Sequence, residues 1–183
     1  MLPDDLKNML VRAFKNAKSV MADCSSAYVT APQGGELSMM MMMMMDAGLK
    51  VRHVLIWVKN APTFSMGRLD YDYQHEPILY TWNKSHQFFG NGEYTKSVWF
   101  FDKPSHSPEH PTMKPVELVK NALLNSSNAN MIVFDPFLGS GTTLVACEQL
   151  KRRGRGIEIE PKYCAVILER LTAMGLKAER HAS

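Results

Sequence analysis

The chain has 183 residues, 45% of them hydrophobic and 21% charged, with a formal net charge of +3 at pH 7. That composition belongs to a soluble globular chain, long enough for one ordinary α/β domain with an insertion. The mild positive charge permits nucleic-acid binding without arguing for it. Three cysteines, Cys24, Cys147 and Cys164, are an odd number, far apart and without a C-x-x-C pair, so they read as reduced thiols of a cytosolic protein. The sequence shows no basic–apolar–small leader and no apolar run able to span a bilayer, so a soluble, cytoplasmic protein without a membrane partner is expected.

Taken in chain order, residues 4–20 place Leu6, Met9, Leu10, Phe14 and Ala17 at helical spacing. "SAYVT" (26–30) predicts a short strand. A helix is expected over 36–47, closed by Gly48 in left-handed geometry. Seven consecutive methionines, Met39 to Met45, fall in it. A run apolar all round has no amphipathic period, so burial on several sides is expected. "VRHVLIWVKN" (51–60) predicts a strand rich in β-branched residues. Residues 61–111 change character and show no helical period. Beyond them a helix is expected over 115–126 with Pro115 at its first position. A strand over 131–135, a helix over 141–152, a strand over 155–160 and a helix over 161–174 complete a βαβα unit on a parallel sheet.

The most informative stretch is "FDPFLGSGTT" (134–143). Asp135 stands at the carboxyl end of a strand. Gly139 and Gly141 allow a tight turn and let a ligand approach the backbone. The helix that follows would point free N–H groups and the positive end of its dipole at that ligand. Glu158, taken as the end of the next strand, is placed to accept hydrogen bonds from the two ribose hydroxyls of an adenosine. No lysine follows the second glycine, which disfavours a phosphate P-loop. A nicotinamide site stays open, although the third glycine of its fingerprint is missing and Asp135 would face a pyrophosphate. An aspartate there better suits a cationic ligand, and the sulfonium and amino group of S-adenosylmethionine are cationic. "HPTMKPVELV" (110–119) adds Thr112 and Lys114 before a helix, a hydroxyl and an ammonium suited to the carboxylate of an amino-acid-like ligand.

"HPTMKPVEL", "DPFLGSGTTL" and "GIEIEPKYC", in that order, resemble the DNA amino-methyltransferases that modify adenine N6 or cytosine N4. The resemblance is to their permuted (beta-type) branch, in which the catalytic half precedes the cofactor half. "VLIWVKN" and "YDYQHEPILYTW" are similar to strands of its catalytic half. The resemblance implies a Rossmann-like α/β sheet that uses S-adenosylmethionine, with an aromatic-rich insertion. Residues 1–60 would be a partial catalytic half, 61–109 a target-recognition insertion and 110–183 the cofactor half. Asp135, Phe137, Gly139, Gly141, Thr142 and Thr143 would line the cofactor pocket, Glu158 would hold the ribose, and Thr112, Lys114 and Pro115 would sit at the methionine end. The substrate implied is double-stranded DNA, as in bacterial or phage restriction–modification.

Eleven of the 17 aromatic residues lie between Phe64 and Phe101, with Arg68, Lys84, Lys96 and Lys103 interleaved. Enzymes that act on a base take it out of the stack and hold it against aromatic faces, and nearby cations meet phosphates. Arg68, Tyr71, Tyr73, Lys84 and Lys96 are therefore expected to contact DNA. "EPILYTW" reads instead as a buried strand, so Tyr80 and Trp82 are expected to pack. "KRRGRG" (151–156) reads as a solvated turn before a strand rather than a phosphate site. His106 and His110 lack a helix or cysteine partners, and no metal is expected.

The family carries an Asp/Asn/Ser-Pro-Pro-Tyr/Phe tetrapeptide whose polar groups accept hydrogen bonds from the target amine and whose ring stacks on the base. These 183 residues contain no such tetrapeptide, so no catalytic residue is assigned. The strand that bears it would lie centrally, between "MIVFD" and "SAYVT", and leaving it out exposes unpaired backbone groups. A fragment is expected, or a chain completed by an upstream segment or a second chain. A non-catalytic DNA- or partner-binding remnant and a nicotinamide-dependent oxidoreductase are the alternatives.

Overall fold

The computed structural model describes residues 4–63, 70–90, 95–103 and 113–181. The chain divides into two compact units, Met1–Lys103 and Pro104–Ser183. Among the described residues no helix is long and apolar enough to cross a membrane.

The first unit opens with α1 (Asp4–Val20), β1 (Ser26–Thr30) and α2 (Gly35–Asp46). Asp4 and Asp5 in the first turn of α1 and Lys18 in its last complement the helix dipole. Then come β2 (Val51–Thr63), β3 (Tyr73–Trp82) and β4 (Val98–Phe100), and the four strands form one sheet in the order β1-β3-β2-β4. β3 runs antiparallel to both neighbours, and β4 runs parallel to β2. Pro77 lies inside β3, an interior strand, where a missing N–H is normally costly. Its carbonyl accepts from Ala31 N, just beyond the last β1 pair, Thr30↔Ile78. The side of Pro77 that lacks a donor therefore faces a position where β1 has already ended.

One face of the sheet carries Val29, Val51 and Leu79 against Leu10, Val11 and Phe14 of α1 and Leu37, Met40, Met41, Met43 and Met44 of α2. The methionine run does not behave as its composition predicts. Met44 is 0% exposed, but Met42 and Met45 are 63% and 62% exposed. A helix laid on one sheet face has one covered side, so position along the turn sorts identical side chains into core and surface. Gly48 closes the helix with φ 77°, as expected. β3 was legible as a buried strand, whereas β4 was not foreseen. β4 is held by Trp99, whose Nε1 donates to Lys96 O at 2.9 Å, and by Trp57 of β2, whose Nε1 donates to Phe101 O at 2.7 Å.

The second unit holds α3 (Val116–Ser126), β5 (Ile132–Asp135), α4 (Thr142–Gln149), β6 (Arg153–Gly156) and α5 (Pro161–Ala173). β5 and β6 pair in parallel, from Ile132↔Arg153 to Asp135↔Gly156. The predicted parallel unit is thus present here, while the larger sheet is mostly antiparallel. Pro115 is the cap before α3 rather than its first residue. α4 stops earlier than expected because Lys151 turns left-handed, with φ 58°. Gly154 of β6 faces α4, where an added Cβ would come within 2.6 Å of Leu144 Cδ2. The side chains on the opposite face of β5, Ile132 and Phe134, are 62% and 40% exposed. Among the described residues β5 pairs only with β6, and β1 only with β3.

Candidate functional site

The site is built on the turn between β5 and α4. Asp135, the last residue of β5, accepts from Phe137 N at 2.9 Å through Oδ1 and from Thr143 Oγ1 at 2.6 Å through Oδ2. One carboxylate thereby ties the strand end to both the turn and the first turn of α4. Gly139 and Gly141 have φ 52° and 78°, conformations that penalise a Cβ. They differ in their surroundings. A Cβ at Gly141 would lie 2.8 Å from Ile167 Cγ1 of α5, whereas a Cβ at Gly139 would meet nothing within 4 Å. Gly141 is thus required by packing, and Gly139 leaves open space beside the backbone. Phe137 is exposed next to that space in sequence.

β6 ends at Gly156, so Glu158 lies two residues past the strand and not at its end as expected. The physical cause is its own carboxylate. Oε1 accepts from Ile159 N and Glu160 N, both at 2.9 Å, and Oε2 accepts from Gly139 N at 2.7 Å. Those amides are taken out of strand pairing and the chain turns into α5. Ladder continuity survives only as far as Ile157, whose N donates to Asp135 O and whose O accepts from Leu138 N. Glu158 thus stands directly against the glycine turn.

Pro115 is buried, and the Lys114 carbonyl accepts from Thr142 Oγ1 at 3.4 Å. That contact brings the segment before α3 to the start of α4. Of the residues expected to bind the cofactor, Asp135, Phe137, Gly139, Gly141, Thr142, Thr143, Glu158, Lys114 and Pro115 therefore belong to one neighbourhood. Thr112 lies outside the described residues, as do Arg68, His106 and His110.

The residues expected to contact DNA are dispersed. Tyr71, just before β3, is exposed. Tyr73 opens β3 and meets His75 edge-on at 6.3 Å. Lys84, after β3, pairs with Asp23 at 3.0 Å on the surface. Lys96, before β4, is exposed. Tyr80 and Trp99 are buried. Within "KRRGRG", Arg153–Gly156 is already strand β6, and Arg152 donates to Ser127 O at 2.7 Å and Ser127 Oγ at 3.2 Å. Arg152 is thus a structural clamp, not a solvated side chain.

One residue of this unit escaped the sequence reading. Arg170 of α5 donates to Ser140 O at 2.6 Å. Nothing in "ILERL" separates it from an ordinary surface arginine. Cys147 of α4 is buried under β6, and burial pushes its thiol pKa up to about 11. Among the described residues no group of three or more His, Cys, Asp or Glu is placed to hold a metal.

A β-strand ending in aspartate, a turn with two left-handed glycines and an acidic residue against that turn define an α/β protein with a candidate ligand site at its strand ends. Comparison with known proteins narrows this. The DNA methylase model N6_N4_Mtase matches residues 3–169, and the chain belongs to that family. It is 30% identical over 139 residues to the type II methyltransferase M2.LlaDCHI of Lactococcus lactis subsp. cremoris, covering 68% of this chain and 52% of that protein. It is 28% identical over 141 residues to M2.DpnII of Streptococcus pneumoniae, covering 69% of this chain and 53% of that protein. The chain thus spans about half the length of these curated relatives. Among solved structures, M1.HpyAVI in its SAM complex superposes with a TM-score of 0.76 at 28% identity, over 93% of this chain and 85% of that one. The cytosine-N4-specific PvuII DNA methyltransferase shares the fold, with a TM-score of 0.74 at 14% identity over 88% of this chain and 68% of that one.

Proposed function

We propose that this chain carries the cofactor site of a DNA methyltransferase. The enzyme would move a methyl group from S-adenosylmethionine to the N6 amino group of adenine or the N4 amino group of cytosine in double-stranded DNA. The observation that carries the reading is the glycine turn itself, with open space at Gly139, Asp135 at one side and Glu158 at the other. Family membership and the likeness to the M1.HpyAVI–SAM complex support it.

S-adenosylmethionine supplies a methyl carbon on a positively charged sulfur. Held by the turn around Gly139 and Gly141 with Asp135 and Glu158, it would supply that methyl to an amine nitrogen, the carbon–sulfur electron pair staying on sulfur and the nitrogen giving up a proton. The protein's part is positioning and electrostatics. Each carboxylate oxygen has two lone pairs. Oε2 of Glu158 holds one amide and keeps capacity for a ribose hydroxyl. Asp135 places negative charge where a cationic ligand would lie, and the exposed Phe137 offers a ring face to the cofactor. Gly139, Gly141, Thr142 and Thr143 line the pocket. Lys114 and Pro115, with Thr112, would face the methionine end. Arg68, Tyr71, Tyr73, Lys84 and Lys96 remain the proposed DNA contacts.

The sides of β5 and β1 that meet no strand among the described residues, the exposed Ile132 and Phe134, and the missing tetrapeptide support a further reading. A segment from outside these 183 residues, in the same or a second chain, would add a strand and the groups that orient the amine. The test is transfer of labelled methyl from S-adenosylmethionine to DNA, with the product nucleoside identified by mass. N6-methyladenine or N4-methylcytosine from a preparation that contains a Pro-Pro-Tyr-type segment is expected. DNA binding with no cofactor binding would overturn the reading and leave a non-catalytic remnant.

A further inference from the structure

The glycine turn is held from behind by one cation. Arg170 Nη1 is 2.6 Å from Ser140 O, 3.2 Å from Ser140 Oγ and 3.4 Å from Thr142 Oγ1. That nitrogen carries two hydrogens, so the two longer contacts share one. Thr142 Oγ1 in turn donates to Lys114 O at 3.4 Å, which extends the chain of contacts from α5 through the turn to the segment before α3. Ser140 and Thr142 are buried and Arg170 is half-buried. Burial holds the Arg170 pKa below the usual arginine value, yet arginine stays charged at any physiological pH.

Ser140 sits between two glycines at positive φ. Glycine neighbours allow a peptide many orientations at little cost, so the sequence of the turn does not fix where the Ser140 carbonyl goes. The peptide is held at both ends: its Gly141 N–H donates to Leu138 O at 2.9 Å, and Arg170 donates to its carbonyl. A charge-assisted bond of this length is among the stronger ones available. With its carbonyl drawn to Arg170, Ser140 cannot turn that oxygen toward the ligand side, and the first N–H groups of α4 stay presented.

We propose that Arg170 is a positioning residue: it pins the Ser140 peptide and so sets the cofactor turn in its binding-competent shape. The ligand in this inference rests on the methyltransferase reading above, but the pin itself does not. Arg170→Ala and Arg170→Lys, made in the full chain, test it through two measurements. The first is amide hydrogen exchange without ligand. Arg170→Ala should speed exchange at Gly139–Thr142 at least about tenfold while Leu79 in the first unit keeps its rate. The second is affinity for S-adenosylmethionine, which should fall on the order of tenfold to a hundredfold on loss of one charged and two weaker contacts. Arg170→Lys should recover part of both, since an ammonium on a shorter side chain restores a cation near the Ser140 carbonyl without matching the reach of Nη1 to all three oxygens. Wild-type exchange and affinity in Arg170→Ala would overturn the proposal. So would an equal rise in exchange throughout the second unit, which marks packing alone. If the wild-type chain binds no S-adenosylmethionine and Arg170→Ala still loosens the turn selectively, the pin stands and the methyltransferase reading falls.

Discussion

The two sheets of this protein solve the problem of burial differently. The four-stranded sheet has a face covered by α1 and α2, with Leu79 and Met44 fully removed from solvent. The two-stranded sheet is covered by α4 through Gly154 but leaves Ile132 and Phe134 of β5 open on its other face. Two strands alone are marginal in water. Order in the second unit rests on apolar burial of Leu118, Val145, Ala146, Cys147 and Ile167 together with polar contacts at its strand ends, from Asp135, Glu158 and Arg170. The proposed cofactor turn is in the unit that leaves one face of its strands exposed.

The comparison can be broken by substitution. The largest effect is expected where the first unit is closed. Met44→Ala should cost about 2–5 kcal/mol, as large-to-small changes in a filled core do, read from urea unfolding. In the second unit, Gly141→Ala should cost about 2–4 kcal/mol, because φ 78° penalises a Cβ and Ile167 stands in its way. If Gly141→Ala is neutral, the turn is not packed against α5 as described. Cys147 reports whether the second unit stays shut. With its pKa raised from 9.0 to about 11, it should label with iodoacetamide at pH 8 roughly a hundredfold more slowly than the exposed Cys24. The sign for stability follows: the raised thiol pKa contributes fully below pH 9 and is lost as pH rises through about 11. Equal labelling would mean that α4 and β6 separate readily. The smallest effect sharpens the first. Met42→Ala, at an exposed position of the same methionine run, should stay within about 0.5 kcal/mol of wild type.

Much of the second unit was legible because its chemistry is local. "FDPFLGSGTT" specifies a strand end, two left-handed glycines and a helix start within ten letters, and the structure supplies all three. Where sequence reading went wrong, tertiary contacts decided. Glu158 leaves the strand because its carboxylate captures three amides. Seven methionines look alike until a sheet face selects Met43 and Met44. β4 is three residues long and depends on two tryptophan N–H groups finding backbone carbonyls. Arg170 reaches Ser140 from another helix, a contact no spacing rule encodes.

The measurement that tests the central claim most directly is calorimetric titration of the purified chain with S-adenosylmethionine, repeated with Asp135→Ala. The account predicts saturable one-site binding by the wild-type chain, lost in a variant that still unfolds cooperatively. A folded chain that binds no S-adenosylmethionine, or a variant that binds it as tightly as the wild type, would contradict the assignment of the β5–α4 turn as a cofactor site.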